Sequence, residues 1–325
     1  MEYTLISYCC GTWPNIGGVA RYETQLKMIF PNRIFFIGPQ QKKEMLAFLK
    51  TCKNPIVITD NHLSCDIPNE YPVLLVHHGS ALTHAEREPN WDKYWKTLCC
   101  TGQSIMLKYR NPKNTWIISS SSFCTDEFTK YFGSEYKKFI DNYLVLHPSE
   151  LDETRYKTDY NDKPVILGNW STGNKGGNII NSLMKYTNFK YQQLQVMPKS
   201  NETIDDFNKR KQEIYLSSDI FLQISVSEGN SYATLDALLC GLVVVASNVG
   251  LFYKDVPDDC FVKLDWERNT DIEYVLDKLK YGWQNKEILS QNARKWYMSN
   301  CRFLDWELKM KKIVNDFYYR NYNDL

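Results

Sequence analysis

Two acids eight residues apart, Glu228 and Asp236, bracket the polar run Gly229-Asn230-Ser231-Tyr232. The residues ahead of them, Ile220-Phe221-Leu222-Gln223-Ile224-Ser225, have the apolar, β-branched character of a buried strand. The residues from Ser231 to Cys240 fit a helix. A strand that ends in a polar loop and then starts a helix exposes backbone N–H groups suited to a diphosphate. One acid can address one end of such a ligand while the second, about two helical turns on, reaches another part. The same pattern also fits two surface acids flanking an ordinary strand-to-helix turn.

A second segment has related chemistry. Val165-Ile166-Leu167-Gly168-Asn169-Trp170 reads as a buried strand running into Ser171-Thr172-Gly173-Asn174-Lys175-Gly176-Gly177, a glycine-rich loop with one lysine ahead of a helix. Lys175 there would neutralise phosphate as a point charge, assisted by amides at the helix start. A solvated loop lysine is the alternative. Near the N-terminus, Asn15-Ile16-Gly17-Gly18-Val19 places two glycines between a strand and a helix, where the backbone can approach a ligand closely. A plain Gly-Gly turn fits equally, and the G-x-G-x-x-G spacing of dinucleotide sites is absent.

These loops need a scaffold of alternating elements. Strand-like runs fall at 4–7, 34–38, 56–59, 73–77, 116–119 and 143–146, then at 165–168, 194–197, 220–225, 243–246 and 261–264. Helix-like stretches such as 19–30, 42–52, 126–138, 177–186, 205–217 and 231–240 lie between them. Several strands are apolar on both faces, as a doubly covered parallel sheet requires. The class is α/β, built from βαβ units. The polar stretch 149–163 lacks an apolar period and reads as a linker between two βα series. Trp306, Met310, Ile313 and Phe317 mark an amphipathic terminal helix.

Length and composition agree with two compact domains. The chain has 325 residues, 39 Lys+Arg against 38 Asp+Glu, 43% hydrophobic and 24% charged residues, which excludes wholesale disorder. A net charge of +1 argues against a nucleic-acid-coating role. Clusters such as Lys42-Lys43 with Lys50, and Lys108 with Arg110 and Lys113, read as solvated faces. No apolar run spans a bilayer, and the first residues lack the basic n-region of a signal peptide. The ten cysteines show neither CxxC nor zinc spacing, so they read as reduced thiols in a cytoplasmic protein. No metal pattern is present in the five histidines. Trp13 and Trp170 are candidates for stacking on sugar.

Together these segments resemble the retaining glycosyltransferases of family 4. That family's hallmark runs Ser-x-x-Glu-Gly-x-x-x-x-x-x-Glu-Ala-x-x-x-Gly, and this chain has Glu228, Gly229, Asp236, Ala237 and Gly241 in register. The Gly17-Gly18-Val19 loop, Leu75-Val76-His77-His78-Gly79, Lys175-Gly176 and the Phe303-Leu304-Asp305-Trp306-Glu307 terminus follow in the family's order. The resemblance implies the GT-B architecture, two Rossmann-like domains with parallel sheets facing across a cleft. It places an acceptor-side domain at 1–148, a nucleotide-sugar domain at 149–302, and a helix crossing back at 303–325.

The resemblance also implies roles. Glu228 would contact donor-sugar hydroxyls, Asp236 the nucleotide ribose, and Lys175 the diphosphate, with amides of Gly229, Asn230, Ser231 and Tyr232 beside it. Gly17 and Gly18 would shape the cleft floor. His78 would stand beside the reacting centre, with His77 as its substitute, because strand neighbours face opposite ways. The chain departs from the family at Asn169, where an arginine is usual on the donor side, and at Asp236, one methylene short. The expected activity is metal-independent, retaining transfer from a nucleotide-diphosphate-sugar to a glycan, protein-linked or lipid acceptor, with no cofactor and at most peripheral membrane contact. The departures motivate an alternative, a non-catalytic binding module on the same fold.

Overall fold

The computed structural model describes residues 2–322 except 10, 140, 141 and 172, without the side chains of 61, 137, 142 and 174. The chain forms two compact units, one of Met1–Leu146 with Leu304–Leu325 and one of His147–Phe303.

In the first unit the elements are β1 (Thr4–Tyr8), α1 (Gly18–Ile29), β2 (Ile34–Ile37), α2 (Lys42–Thr51), β3 (Pro55–Asp60), β4 (Val73–His77), α3 (Ala81–Arg87), α4 (Lys93–Ile105), β5 (Thr115–Ser119), α5 (Ser122–Phe132) and β6 (Asn142–Leu144). All strand pairs are parallel, in the order β2-β1-β3-β4-β5-β6. β3, β4 and β5 are buried along their whole length, which explains their unbroken apolar runs. Burying each Leu or Ile there contributes roughly 2 kcal/mol. The sheet order reverses between β1 and β3, the kind of point beyond whose carboxyl ends open parallel sheets hold their ligands.

The second unit holds β7 (Val165–Gly168), α6 (Gly177–Leu183), β8 (Lys190–Gln193), α7 (Ile204–Leu216), β9 (Ile220–Gln223), α8 (Tyr232–Leu239), β10 (Val243–Ser247), β11 (Val262–Leu264), α9 (Ile272–Gln284) and α10 (Lys286–Asn300). Its strands are also parallel, in the order β11-β10-β9-β7-β8, with the reversal between β7 and β9. The last helix, α11 (Phe303–Tyr322), packs on the first unit. Its Trp306 and Phe317 rings meet Tyr22 and Trp116, with centroids 5.9 and 5.0 Å apart.

Three expectations are corrected. The strand expected at 194–197 lies instead at Lys190–Gln193, an edge strand whose polar residues Gln192 and Gln193 hide it from an apolar pattern. The stretch 149–163 is a strap fastened to the second unit and not a free linker. Asp219, fully buried, accepts from the backbone N–H groups of Asn161 (3.1 Å) and Val165 (2.7 Å) and pairs with Lys157 at 3.1 Å. Polar residues serve there because their partners are polar. Arg110 does not belong to a solvated basic face: it is buried and donates to the carbonyls of Ile67 and Tyr71, each at 2.9 Å.

Among the described residues no helix is long and apolar enough to cross a membrane. No group of three or more His, Cys, Asp or Glu that could hold a metal occurs among them either.

Candidate functional site

In the second unit the two loops that leave β7 and β9 stand at the carboxyl edge of the sheet, on either side of the point where strand order reverses. Ligand sites of open parallel sheets occur at such points. Each loop is shaped by a glycine that no other residue replaces easily. Gly176, with φ +86, ends the short turn Gly173–Lys175, and a Cβ on it would lie 2.8 Å from Ile224 Cβ. The loop carrying Lys175 thereby rests directly on the residue that follows β9. Gly250, with φ +57, lies against the other loop, where a Cβ would meet Gly229 O at 2.7 Å and Glu228 Cβ at 3.0 Å.

These approaches bring Lys175 and Glu228 into contact. The ammonium donates to Glu228 Oε1 at 2.9 Å, and Ser225 Oγ donates to the same oxygen at 2.9 Å. The lysine side chain is 31% exposed and the glutamate 14%. The pair is thus fixed by the protein but open to an incoming group. Beside it α8 begins at Ser231 without a side-chain cap, with the Thr234 N–H donating to Ser231 O at 3.1 Å, so the helix start adjoins the loop of Glu228 to Ser231. Gly229 and Asn230 are buried, Ser231 is half-buried, and the buried Tyr232 ring lies 5.1 Å from His147. An ammonium, helix-start amides and a carboxylate able to accept from hydroxyls together form a site for a phosphorylated, hydroxyl-rich ligand.

The structure does not bring Asp236 into this cluster. Its carboxylate, carried on α8, is buried, and there Oδ1 accepts from Ser149 Oγ at 2.6 Å and Oδ2 lies 3.2 Å from Lys211 Nζ. Asn169 lies at the end of β7 and accepts from Ser171 Oγ at 3.1 Å. Trp170 is corrected from a stacking candidate to a core residue. It is 5% exposed, packs among Ile166, Leu222 and Leu183, and donates from Nε1 to Leu222 O at 3.2 Å.

In the first unit Gly17 caps α1 with φ −61, and a Cβ on it would touch nothing within 4 Å. Packing therefore does not demand glycine there, and both Gly17 and Gly18 are exposed. Five residues into α1, Tyr22 meets the His78 ring edge-on at 4.9 Å. His77 is buried against Phe128 at 4.2 Å, whereas His78, just beyond β4, is half-buried. Burial lowers both imidazoles to about 3, so both are neutral at pH 7. Trp13 is half-buried, its backbone N–H held by Thr24 Oγ1 at 2.9 Å.

Ser225, Gly250, Ser149 and Lys211 escape a sequence reading. Two of them leave a signal: Ser225 stands three residues before Glu228, where the Ser-x-x-Glu-Gly pattern has its serine, and Gly250 is a glycine three residues after a buried strand; nothing in the sequence marks Ser149 and Lys211 as partners of Asp236.

No protein-family model matches the chain, and no curated protein matches it in sequence. Solved structures are similar in fold. Sucrose-phosphate synthase from Thermosynechococcus elongatus superposes with TM-score 0.70 at 14% identity, over 97% of this chain and 99% of that one. HepE of Anabaena, solved with UDP-glucose, gives 0.68 at 10%, over 97% and 100%. An α-glucosyltransferase solved with UDP and a 13-mer DNA gives 0.58 at 12%, over 96% and 100%. These likenesses and the two parallel sheets show a GT-B fold.

Proposed function

We propose that this chain is a glycosyltransferase that takes a nucleoside-diphosphate sugar as donor and moves the sugar, with retention at the anomeric carbon, to a hydroxyl of a glycan or lipid-linked acceptor. The observation that carries the reading is the Lys175–Glu228 contact at the carboxyl edge of the second sheet, beside the open start of α8. The fold neighbours support it, since HepE was solved with UDP-glucose and the α-glucosyltransferase with UDP.

In this reading Lys175 and the amides of Gly229, Asn230, Ser231 and Tyr232 receive the diphosphate. The bond from the anomeric carbon to the phosphate oxygen breaks with its electron pair going to that oxygen. Negative charge therefore grows where the ammonium and the helix-start amides are already aimed, which is the largest single contribution in many enzymes. Glu228, held by Ser225, accepts from donor-sugar hydroxyls and orients the ring. As oxocarbenium character develops, the acceptor hydroxyl closes on the anomeric carbon and passes its proton to the departing phosphate oxygen. The chemistry needs no metal, because protein cations and dipoles neutralise the leaving group. Asn169 lies on the donor side as a neutral hydrogen-bonding group. In the first unit, Gly17, Gly18 and His78 are the residues proposed to serve the acceptor, His78 as a neutral imidazole.

A second reading, a nucleotide-sugar-binding module without turnover, is favoured by the engagement of Asp236 inside the unit. Thermal shift with UDP-, GDP- and CDP-sugars, followed by sugar-release assays, tests both. Binding with release supports the enzyme, binding without release under any acceptor supports the module, and no binding removes both.

A further inference from the structure

We propose that Asp236 is a positioning residue that sets α8 and the loop ahead of it, and that it does not contact the nucleotide ribose. The inference rests on the donor site proposed above. The Asp236 carboxylate is 1% exposed, and each of its oxygens is engaged from a different segment of the unit. Ser149 Oγ donates to Oδ1 at 2.6 Å, and Lys211 Nζ on α7 lies 3.2 Å from Oδ2. Both partners are held in turn. The Ser149 backbone N–H donates to Tyr297 Oη on α10 at 2.8 Å, while Leu151 N–H donates back to Ser149 Oγ at 3.1 Å. The Lys211 side chain is itself buried.

The physical consequence follows from burial. A carboxylate out of water keeps its charge only while paired and hydrogen-bonded, and removing one partner leaves an uncompensated buried ion. To accept from ribose hydroxyls, a carboxylate only 1% exposed and engaged at both oxygens would have to leave its buried network, loosening its hold on Ser149 and on the buried Lys211 ammonium. Holding the network instead fixes α8 against α7, α10 and the strap that begins at Ser149. Two further contacts at the front of the helix agree with that duty: Tyr215 Oη donates to Ala233 O and Thr234 Oγ1 donates to Gln223 Oε1, each at 3.0 Å. The first-turn amides and Glu228 lie immediately ahead of this clamped turn. A shift of α8 would misdirect donors that must point at a diphosphate, whatever sugar ring joins that diphosphate to the base.

The test compares UDP and GDP with their 2′,3′-dideoxy counterparts by calorimetry on wild type and Asp236→Asn. The expected result is a loss of roughly tenfold in affinity, by the same factor for the ribo and dideoxy forms. A loss confined to the ribo form, bringing it level with the dideoxy form, would make Asp236 a ribose contact and overturn the proposal. Unchanged affinity for both in a folded variant would make the network merely structural and also overturn it. Lys211→Met serves as the second variant, because it leaves the Asp236 carboxylate in place without its cation. Positioning predicts the same parallel loss there, whereas a loss confined to the ribo form, or unchanged affinity for both forms in the folded variant, overturns it. Wild type that binds neither nucleotide would bring down the donor reading, and the positioning role with it.

Discussion

Lys175 Nζ lies 2.9 Å from Glu228 Oε1 across 53 residues of sequence. Two separate loops meet there because each is allowed to lie unusually close to its neighbour, one at Gly176 against Ile224 and the other at Glu228–Gly229 against Gly250. The contact is therefore a product of the backbone and not of the two side chains finding each other. That distinction separates what the pair contributes to stability from what it contributes to chemistry.

The pair is partly exposed, and ion pairs in that setting contribute little to folding. Lys175→Met and Glu228→Gln should each change unfolding free energy by less than about 1 kcal/mol in urea denaturation. A loss several times larger in either variant would show that the pair holds the fold.

The glycines behind the pair should behave oppositely from one another. Gly250→Ala forces a Cβ to within 2.7 Å of Gly229 O at φ +57, so a loss of about 1–3 kcal/mol is expected, together with weaker nucleotide binding. Gly17→Ala meets nothing within 4 Å at an ordinary φ of −61, and its stability should stay within about 0.5 kcal/mol of wild type. Urea denaturation of the two variants side by side checks the contrast; equal losses would contradict it.

Asp60, at the end of β3, is 6% exposed with no hydrogen-bond partner for Oδ1 among the described residues, and burial raises its carboxyl to about 7. Its folded value lies above the unfolded one, so the folded state holds the proton more tightly. The Asp60 contribution to stability is therefore fully present below about pH 4, falls as pH rises toward 7, and is lost above it. The total is up to about 4 kcal/mol. Asp60→Asn removes the dependence, so the stability difference between wild type and variant should shrink or reverse from pH 4.5 to pH 8. A difference that stays constant over that range would place the Asp60 titration elsewhere.

Much of the scaffold is legible in the sequence because its determinants are local. The runs at 165–168, 220–225 and 243–246 announce buried parallel strands, and the alternation around them suffices for the α/β class. β8 is not legible, since an edge strand tolerates Gln192 and Gln193 where a central one would not. The strap at 149–163 hides for a similar reason: its partners, Asp219 among them, lie more than fifty residues away. At the site, Lys175 and Glu228 stand out as charged residues in loops that follow strands. That Asp236 engages Lys211 and Ser149 depends on how α7 and the strap pack against α8, and no residue spacing records it. Trp170 shows the same limit, as the sequence places it beside the loop and the close approach at Gly168 turns its ring into the core.

The most direct test of the account is sugar release from the best-bound nucleotide sugar, measured for wild type and Lys175→Ala under identical conditions. Electrostatic stabilisation of the departing diphosphate predicts that the variant loses turnover by roughly 10²–10³-fold, with its melting temperature little changed. Equal turnover in the two proteins would contradict the assignment of Lys175 to the leaving group.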